Sequence, residues 1–424
     1  MSGKEYCIKL YKCLTNPQIR ELEVLKVLPL DARNQIDAYD KGLKTSDFAY
    51  NSACLPFLVI RSEQVVGIPK DALIIAFGYA RQRFYELVKQ NSWTAEEALE
   101  VSRTSIVLIL IGSENLTAVN ARKRLLNHHP KIAPLSLEYR LTNMLVDSRL
   151  QHHTKSPLIW NYHRYLVLQR IKMAEKEFQY KEKVKYIESL CRIELQTVFI
   201  SAEHHPLNYY AWNFARWLFT DLFSSLLSSP AAMYYSSVFS KQYLESIVRK
   251  VQKWAFAHAA DTSAWGYFQW ILFYYVQNTR NTSSSFHGTA SPNYFSHKIR
   301  YSPLVDNKLL LSCVSEAIQY ATSIGPGHEA VWTFLRRVIS DVNYIGDSNR
   351  ASFLSILTSY LKSRKLDKYG KISTNSHQVG NNNSSTISLR SQQEIMLSNQ
   401  RDRDVYVVES SLNWIKSYLD VSSH

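Results

Sequence analysis

Glycine and proline are scarce, with 12 of each in 424 residues, about 3% apiece where average usage is nearer 7% and 5%. Strand-rich folds need frequent turns, so this shortage argues against sandwiches and barrels and for long helices. Cysteine is sparse as well. The five residues Cys7, Cys13, Cys54, Cys191 and Cys313 are odd in number and lack CxxC spacing, which fits neither a disulfide framework nor a zinc knuckle and suits a reducing, cytoplasmic setting. No apolar run approaches the ~20 residues of a spanning helix; the longest lies near Ile106 to Ile111. A basic-then-apolar leader, a C-terminal prenylation box and a glycine after Met1 are all missing, so neither a transmembrane segment nor a lipid anchor is expected. Without a Walker loop, a dinucleotide glycine fingerprint, HExxH or GxSxG, stand-alone hydrolase or kinase activity has no support.

What is present is aromatic and basic. Aromatic residues make up 12% of the chain, including 27 Tyr and 9 Trp, with 46% hydrophobic and 20% charged residues, the composition of a globular protein. The formal charge of +14 favours an anionic partner, whether nucleic acid, an acidic protein surface, a membrane face or a phosphorylated small molecule. The basic residues are spread rather than blocked, which speaks against a nucleic-acid interface.

Helical periodicity dominates from Pro69 onward. Thr94 followed by Glu97 forms a capping-box pattern. A stripe through Val184, Ile187, Cys191, Leu195, Val198 and Ala202 has the 3 and 4 spacing of one helix face. Similar stripes run through Leu244, Ile247, Val251, Ala255 and His258, and through Leu310, Cys313, Ala317 and Tyr320. Each of these helices precedes a segment centred on tryptophan.

In register, those segments read Asn208-Tyr-Tyr-Ala-Trp212-Asn-Phe-Ala-Arg216, Ser156-Pro-Leu-Ile-Trp160-Asn-Tyr-His-Arg164, Asp261-Thr-Ser-Ala-Trp265-Gly-Tyr-Phe-Gln269 and His328-Glu-Ala-Val-Trp332-Thr-Phe-Leu-Arg336. A degenerate copy spans 115–124, with Asn115 at its head, Val119 in the tryptophan column and Lys123 in the basic one. The column falls at 119, 160, 212, 265 and 332, a repeat of uneven length. Position one is Asn, Ser, Asn and Asp in four of the five copies, the residues best able to cap a helix N-terminus, and Pro157 suits the first helical position. The indole then falls on the buried stripe, and the basic residue four places on edges the same face. Helix pairs that cannot bury a face alone must stack. The fold class expected is therefore all-α, a right-handed α-α superhelix of stacked antiparallel hairpins over 69–365. Residues 1–68 form an extension of uncertain structure, 278–303 is a Ser/Thr/Asn-rich insertion, 366–400 is a low-complexity linker, and 401–424 holds a C-terminal helix.

Asn-Tyr-x-x-Trp-x-x-x-Arg at the start of alternate helices resembles the repeat of the protein prenyltransferase alpha subunits, over roughly residues 94–340. The third copy, Asn208-Tyr209-Tyr210-Ala211-Trp212 with Arg216, is nearest to the pattern. The resemblance implies a crescent of hairpins around a separate beta subunit, which carries the catalytic zinc and most of the isoprenoid pocket. This chain would bind no cofactor itself, with a prenyl diphosphate as co-substrate. The family places a lysine immediately before the cap of its second repeat to meet the donor diphosphate, and that position is Lys155 here. An ammonium there stabilises the departing diphosphate more in the transition state than before it. The third repeat of the family turns an aromatic and a neighbouring polar ring toward the substrate, which implies substrate-binding roles for Tyr209 and Tyr210. Trp160, Arg164, Trp212, Arg216, Trp265, Trp332 and Arg336 are repeat-structural. Three departures mark the chain as unconventional: Ser156-Pro157 replaces the usual Asn-Tyr, Val119 replaces Trp, and Gln269 replaces Arg.

Paired histidines occur at His128-His129, His152-His153 and His204-His205. Adjacent residues rarely converge on one ion, so no metal site is expected on this chain, while His152, His153 and above all His204 are candidates for contact with phosphate. The expected function is that of an alpha-like subunit of a heterodimeric protein prenyltransferase, with geranylgeranyl transfer favoured. Its acceptor would be a small GTPase or a SNARE-like protein. The alternative is a non-catalytic helical-repeat scaffold, and nucleic acid is not an expected partner.

Overall fold

The computed structural model describes residues 1–17, 19, 21–25, 58–60, 65–222, 241–281, 307–325, 327–374 and 402–417. The described chain is predominantly helical and divides into two compact units, Met1–Val238 and Phe239–His424. Most of the insertion expected over 278–303 lies outside the described residues.

The first unit opens with α1 (Gly3–Thr15), started by a Ser2–Glu5 capping box. Three short strands follow, β1 (Glu21–Leu25), β2 (Leu58–Ile60) and β3 (Val65–Pro69). They form one sheet in the order β1-β3-β2, with β1 parallel and β2 antiparallel to β3. This sheet is the one departure from an all-helical architecture among the described residues. Helix α1 packs on α2 (Lys70–Leu87) and α3 (Ala95–Ile111). Gly3 permits that approach, since a Cβ there would lie 2.7 Å from Tyr79 Cβ and 2.9 Å from Ile75 O. Helix α3 begins with the expected box, Thr94 accepting from Glu97 N while Glu97 accepts from Thr94 N.

Next come α4 (Leu116–His128), α5 (Leu135–Val146), the single turn α6 (Gln151–Thr154), α7 (Pro157–Glu177), α8 (Tyr180–His204) and α9 (Tyr209–Trp217). The last runs on into a π-helical turn, Leu218–Leu222. The second unit holds α10 (Lys241–Ala257), α11 (Thr262–Asn281), α12 (Lys308–Ile324), α13 (Glu329–Ser340), the short α14 (Val342–Ile345), α15 (Asp347–Thr374) and α16 (402–417). Helix α15 continues past the boundary expected at 365, because no proline stops it and propagation adds one hydrogen bond per residue; residues 375–401 lie outside the described chain.

Each motif begins a helix, and that helix packs on the nearest preceding helix of more than one turn: α4 on α3, α7 on α5, α9 on α8, α11 on α10, α13 on α12. Four of these five pairs are joined by four residues, at 112–115, 205–208, 258–261 and 325–328. The cap chemistry is as the sequence predicts. Ala118 N donates to Asn115 Oδ1 (3.0 Å), Ile159 N to Ser156 Oγ (3.1 Å), Ala211 N to Asn208 Oδ1 (3.2 Å) and Ala264 N to Asp261 Oδ1 (2.9 Å). His328 makes no side-chain cap bond. Val119, Trp160, Trp212, Trp265 and Trp332 are all buried. The stripe on α8 is buried from Ile187 to Ala202, with Val184 half-buried. On α16 the buried face runs through Val408, Leu412 and Ile415, so Val408 takes the place expected of Val407.

The core of the first unit also contains charge. Arg122 on α4 forks onto Glu138 of α5, Nε to Oε2 at 2.8 Å and Nη2 to Oε1 at 2.7 Å, and its Nη1 donates to Ser102 O and Ser105 Oγ, both at 2.9 Å. Tyr162 OH on α7 donates to the same carboxylate at 2.7 Å. One residue along, His163 Nε2 meets Glu194 Oε2 of α8 at 2.7 Å, and Tyr139 OH donates to the other oxygen of Glu194. Arg122, Glu138, Tyr162, His163 and Glu194 are all buried. Buried charge is tolerated when it is paired and hydrogen-bonded throughout.

Candidate functional site

The connections that end in motif caps touch one another in the first unit. Ser113 Oγ, ahead of the first cap, donates to His152 O at 2.6 Å, and Ser156 Oγ donates to the Glu114 carboxylate. Asn208 Nδ2, in the third cap, donates to Thr154 O at 3.1 Å and to Ser201 Oγ at 3.0 Å. Trp160 Nε1 donates to the same Thr154 carbonyl at 2.7 Å. Ser156 and Asn208 thus each serve their own helix and the connection that leads into the motif before.

Lys155 lies at this junction. It terminates α6, and its Nζ donates to Pro206 O at 2.9 Å, across to the connection that leads into the third motif. An ammonium carries three donors, so two remain for an incoming acceptor. Tyr209, three residues past Pro206, begins α9 and is 54% exposed. Tyr210 is half-buried beneath it, the two rings edge to face with centroids 5.7 Å apart. The structure therefore brings Lys155 and the segment bearing Tyr209 and Tyr210 onto adjoining connections.

The histidines divide. His204 Nδ1 lies 2.6 Å from Asp147 O, which ties the end of α8 to the turn after α5 and leaves Nε2 for other use. His205, next along, has its pKa lowered mainly by burial, with the Lys155 charge acting in the same direction. His152 is exposed. His153 is fully buried against α3, Nε2 3.2 Å from Ile109 O, and burial first, then His152, pushes its pKa down to about 4. It is a core residue, held away from any phosphate. No three His, Cys, Asp or Glu side chains gather as a metal site among the described residues.

The basic column has more than one use. The Arg164 guanidinium sits 4.9 Å over the Trp217 ring of the next motif helix, its pKa lowered by burial and supported by Asp221. Arg336 Nη2 donates to Thr333 Oγ1 at 2.7 Å within its own helix. Lys123 lies over the rings of Tyr165 and Tyr162, at 5.1 and 6.0 Å. Sequence reasoning missed Arg122 and His163, one position earlier in the first and second motifs. The available signal was Glu138 and Glu194, which interrupt otherwise apolar helix faces.

A protein-family model described as the ECM9 middle domain matches residues 159–291. The match begins beside Trp160 and covers the second motif from Ile159 onward and the whole of the third and fourth. No curated protein matches the chain. Among the described residues no helix is long and apolar enough to cross a membrane.

Proposed function

We propose that this chain is the alpha-like subunit of a heterodimeric protein prenyltransferase, its five helix pairs forming a right-handed α-α superhelix against a separate beta subunit. The observation that carries the reading is the Lys155–Pro206 hydrogen bond, which holds a cation with two spare donors against the connection that leads into the exposed Tyr209. In the transfer, a cysteine thiolate of the acceptor attacks the first carbon of the prenyl group. The C–S bond forms as the C–O bond to diphosphate breaks, and the electron pair leaves on the diphosphate. Lys155 meets that growing negative charge as a point charge, and the hydroxyls of Tyr209 and Tyr210, with His204 Nε2, supply hydrogen bonds to the donor or acceptor. A geranylgeranyl donor and a small GTPase or SNARE-like acceptor, in a cytoplasmic setting, complete the proposal, with zinc on the beta subunit.

The test is co-expression with candidate beta subunits, co-purification, and transfer of labelled prenyl diphosphate to a cysteine-bearing acceptor. Lys155→Ala is expected to lower kcat by about tenfold to a thousandfold and to leave co-purification intact. Failure to associate with any beta subunit refutes the proposal. A second reading, a non-catalytic repeat scaffold, draws on the same hydrogen bond, because a lysine tied to a carbonyl also serves to join two connections. Unchanged transfer in Lys155→Ala would leave the lysine this joining role alone, and a folded chain that supports no transfer with any beta subunit would favour the scaffold.

A further inference from the structure

Five residues precede a cap position in the repeats: Glu114, Lys155, Leu207, Ala260 and Gly327. Leu207 alone among them has a left-handed backbone, with φ +62°, and it is the one non-glycine residue with positive φ among the described residues. A branched aliphatic residue there is uncommon, and such outliers persist only where the surroundings impose them. The position is informative because Leu207 follows Pro206, whose carbonyl holds Lys155, and precedes Asn208, whose side chain caps α9.

The local geometry links those neighbours. Asn208 has φ −84° and ψ 80° with Tyr209 N donating to Leu207 O at 3.1 Å, an inverse γ-turn. Asn115 of the first motif makes the same turn, φ −81° and ψ 87°, with Leu116 N to Glu114 O at 3.1 Å, yet Glu114 is not left-handed. The γ-turn at the cap therefore does not need a left-handed residue before it. What the third motif has and the first lacks is a proline carbonyl turned back onto a lysine of the preceding connection. The left-handed step at 207 reverses the chain between two fixed points, the Pro206 carbonyl and the buried Asn208 side chain.

We propose that the left-handed backbone of Leu207 is a positioning element for Lys155, orienting the Pro206 carbonyl so that the ammonium is held in one place with two donors free. A lysine side chain has many rotamers to lose, and restraining it beforehand lowers what an anion must overcome on binding. The geometric claim stands on these residues alone, while its catalytic consequence rests on the transferase reading above.

The experiment is competitive acylation of the full-length chain with acetic anhydride, with peptide mass mapping that follows Lys155 relative to exposed lysines elsewhere, for wild type, Leu207→Asn and Leu207→Val. Asparagine accepts the left-handed conformation and valine, being β-branched, resists it. The expected result is that Leu207→Val raises the relative rate at Lys155 by about twofold to tenfold, the factor of one lost hydrogen bond, while Leu207→Asn leaves it unchanged. Equal rates in all three proteins, or a rise in both variants, would overturn the proposal. Thermal melts identify a variant that merely unfolds, since all lysines would then react faster. In that event Leu207→Ala, which also disfavours positive φ but keeps a small side chain, takes the place of valine, and a rise at Lys155 in it again supports the proposal while an unchanged rate overturns it. The transfer assay separates the two ideas. If the chain associates with no beta subunit and supports no transfer while the acylation contrast holds, the function falls and the positioning stands. If Lys155→Ala slows transfer and the contrast is missing, the reverse follows.

Discussion

Replacing Arg122 by alanine is expected to be among the most damaging single changes in the first unit. The guanidinium and its carboxylate partner Glu138 are both essentially sealed from solvent, at 1% and 0% side-chain exposure. Removing it takes away two charge-assisted bonds to Glu138 and two bonds to the Ser102 carbonyl and Ser105 hydroxyl. Glu138 keeps Tyr162 OH, a single neutral donor for a buried carboxylate. Breaking one side of such a pair costs about 3–5 kcal/mol, which for a unit of this size lowers Tm by about 6–20 °C. The companion Arg122→Met/Glu138→Leu should recover most of the loss, because it removes the stranded charge and keeps the volume. Thermal melts of wild type, Arg122→Met, Glu138→Leu and the double variant form a complete cycle. If the single Arg122→Ala change costs less than about 1 kcal/mol, or the double variant simply adds the two single losses, the network is not acting as a coupled buried unit.

Two further outcomes follow from the same structure. His153 is neutral in the fold, its pKa at about 4 against an ordinary 6.5, so below pH 6.5 the unfolded chain binds the extra proton first. Stability from this site is complete above pH 6.5 and is lost progressively as pH falls toward 4, by up to about 3 kcal/mol. His205, also lowered, adds to the loss with the same sign, and His153→Phe should flatten the pH dependence of the melting temperature. Asn208→Ala should cost more than Asn115→Ala. Both lose a cap worth about 1 kcal/mol, but buried Asn208 also gives up its bonds to Thr154 O and Ser201 Oγ, so about 2–3 kcal/mol is expected. Equal losses in chemical denaturation would show that the link between connections contributes nothing.

The parts of this architecture that were legible in the sequence are those governed by local rules. A cap residue acts on amides three positions away, and a helix face repeats every 3.6 residues, so Asn115, Ser156, Asn208 and Asp261 and the tryptophan column could be read directly. The Arg122–Glu138 pair was not, because its partners are 16 residues apart in sequence and on different helices. The small sheet escaped notice because β1 and its neighbour β3 are far apart in the chain and only five residues long. Of the candidate site, the residue types and the register of Lys155 and Tyr209 were readable. The left-handed leucine was not, since nothing in its side chain announces that conformation.

The four-residue connections within helix pairs and the variable ones between pairs separate two kinds of freedom. Where a cap and its neighbour's carbonyl are joined by hydrogen bonds, an added residue would break both at once, so length is locked there. Between pairs a longer connection adds closure entropy only logarithmically. The spacing of the tryptophan column widens from 212 to 265 and from 265 to 332, intervals that contain 223–240 and 282–306, each between one pair and the next. A tag, a tether or a reporter domain is therefore better inserted between pairs than within a four-residue connection, where a cap bond such as that from Ala211 N to Asn208 Oδ1 would be lost.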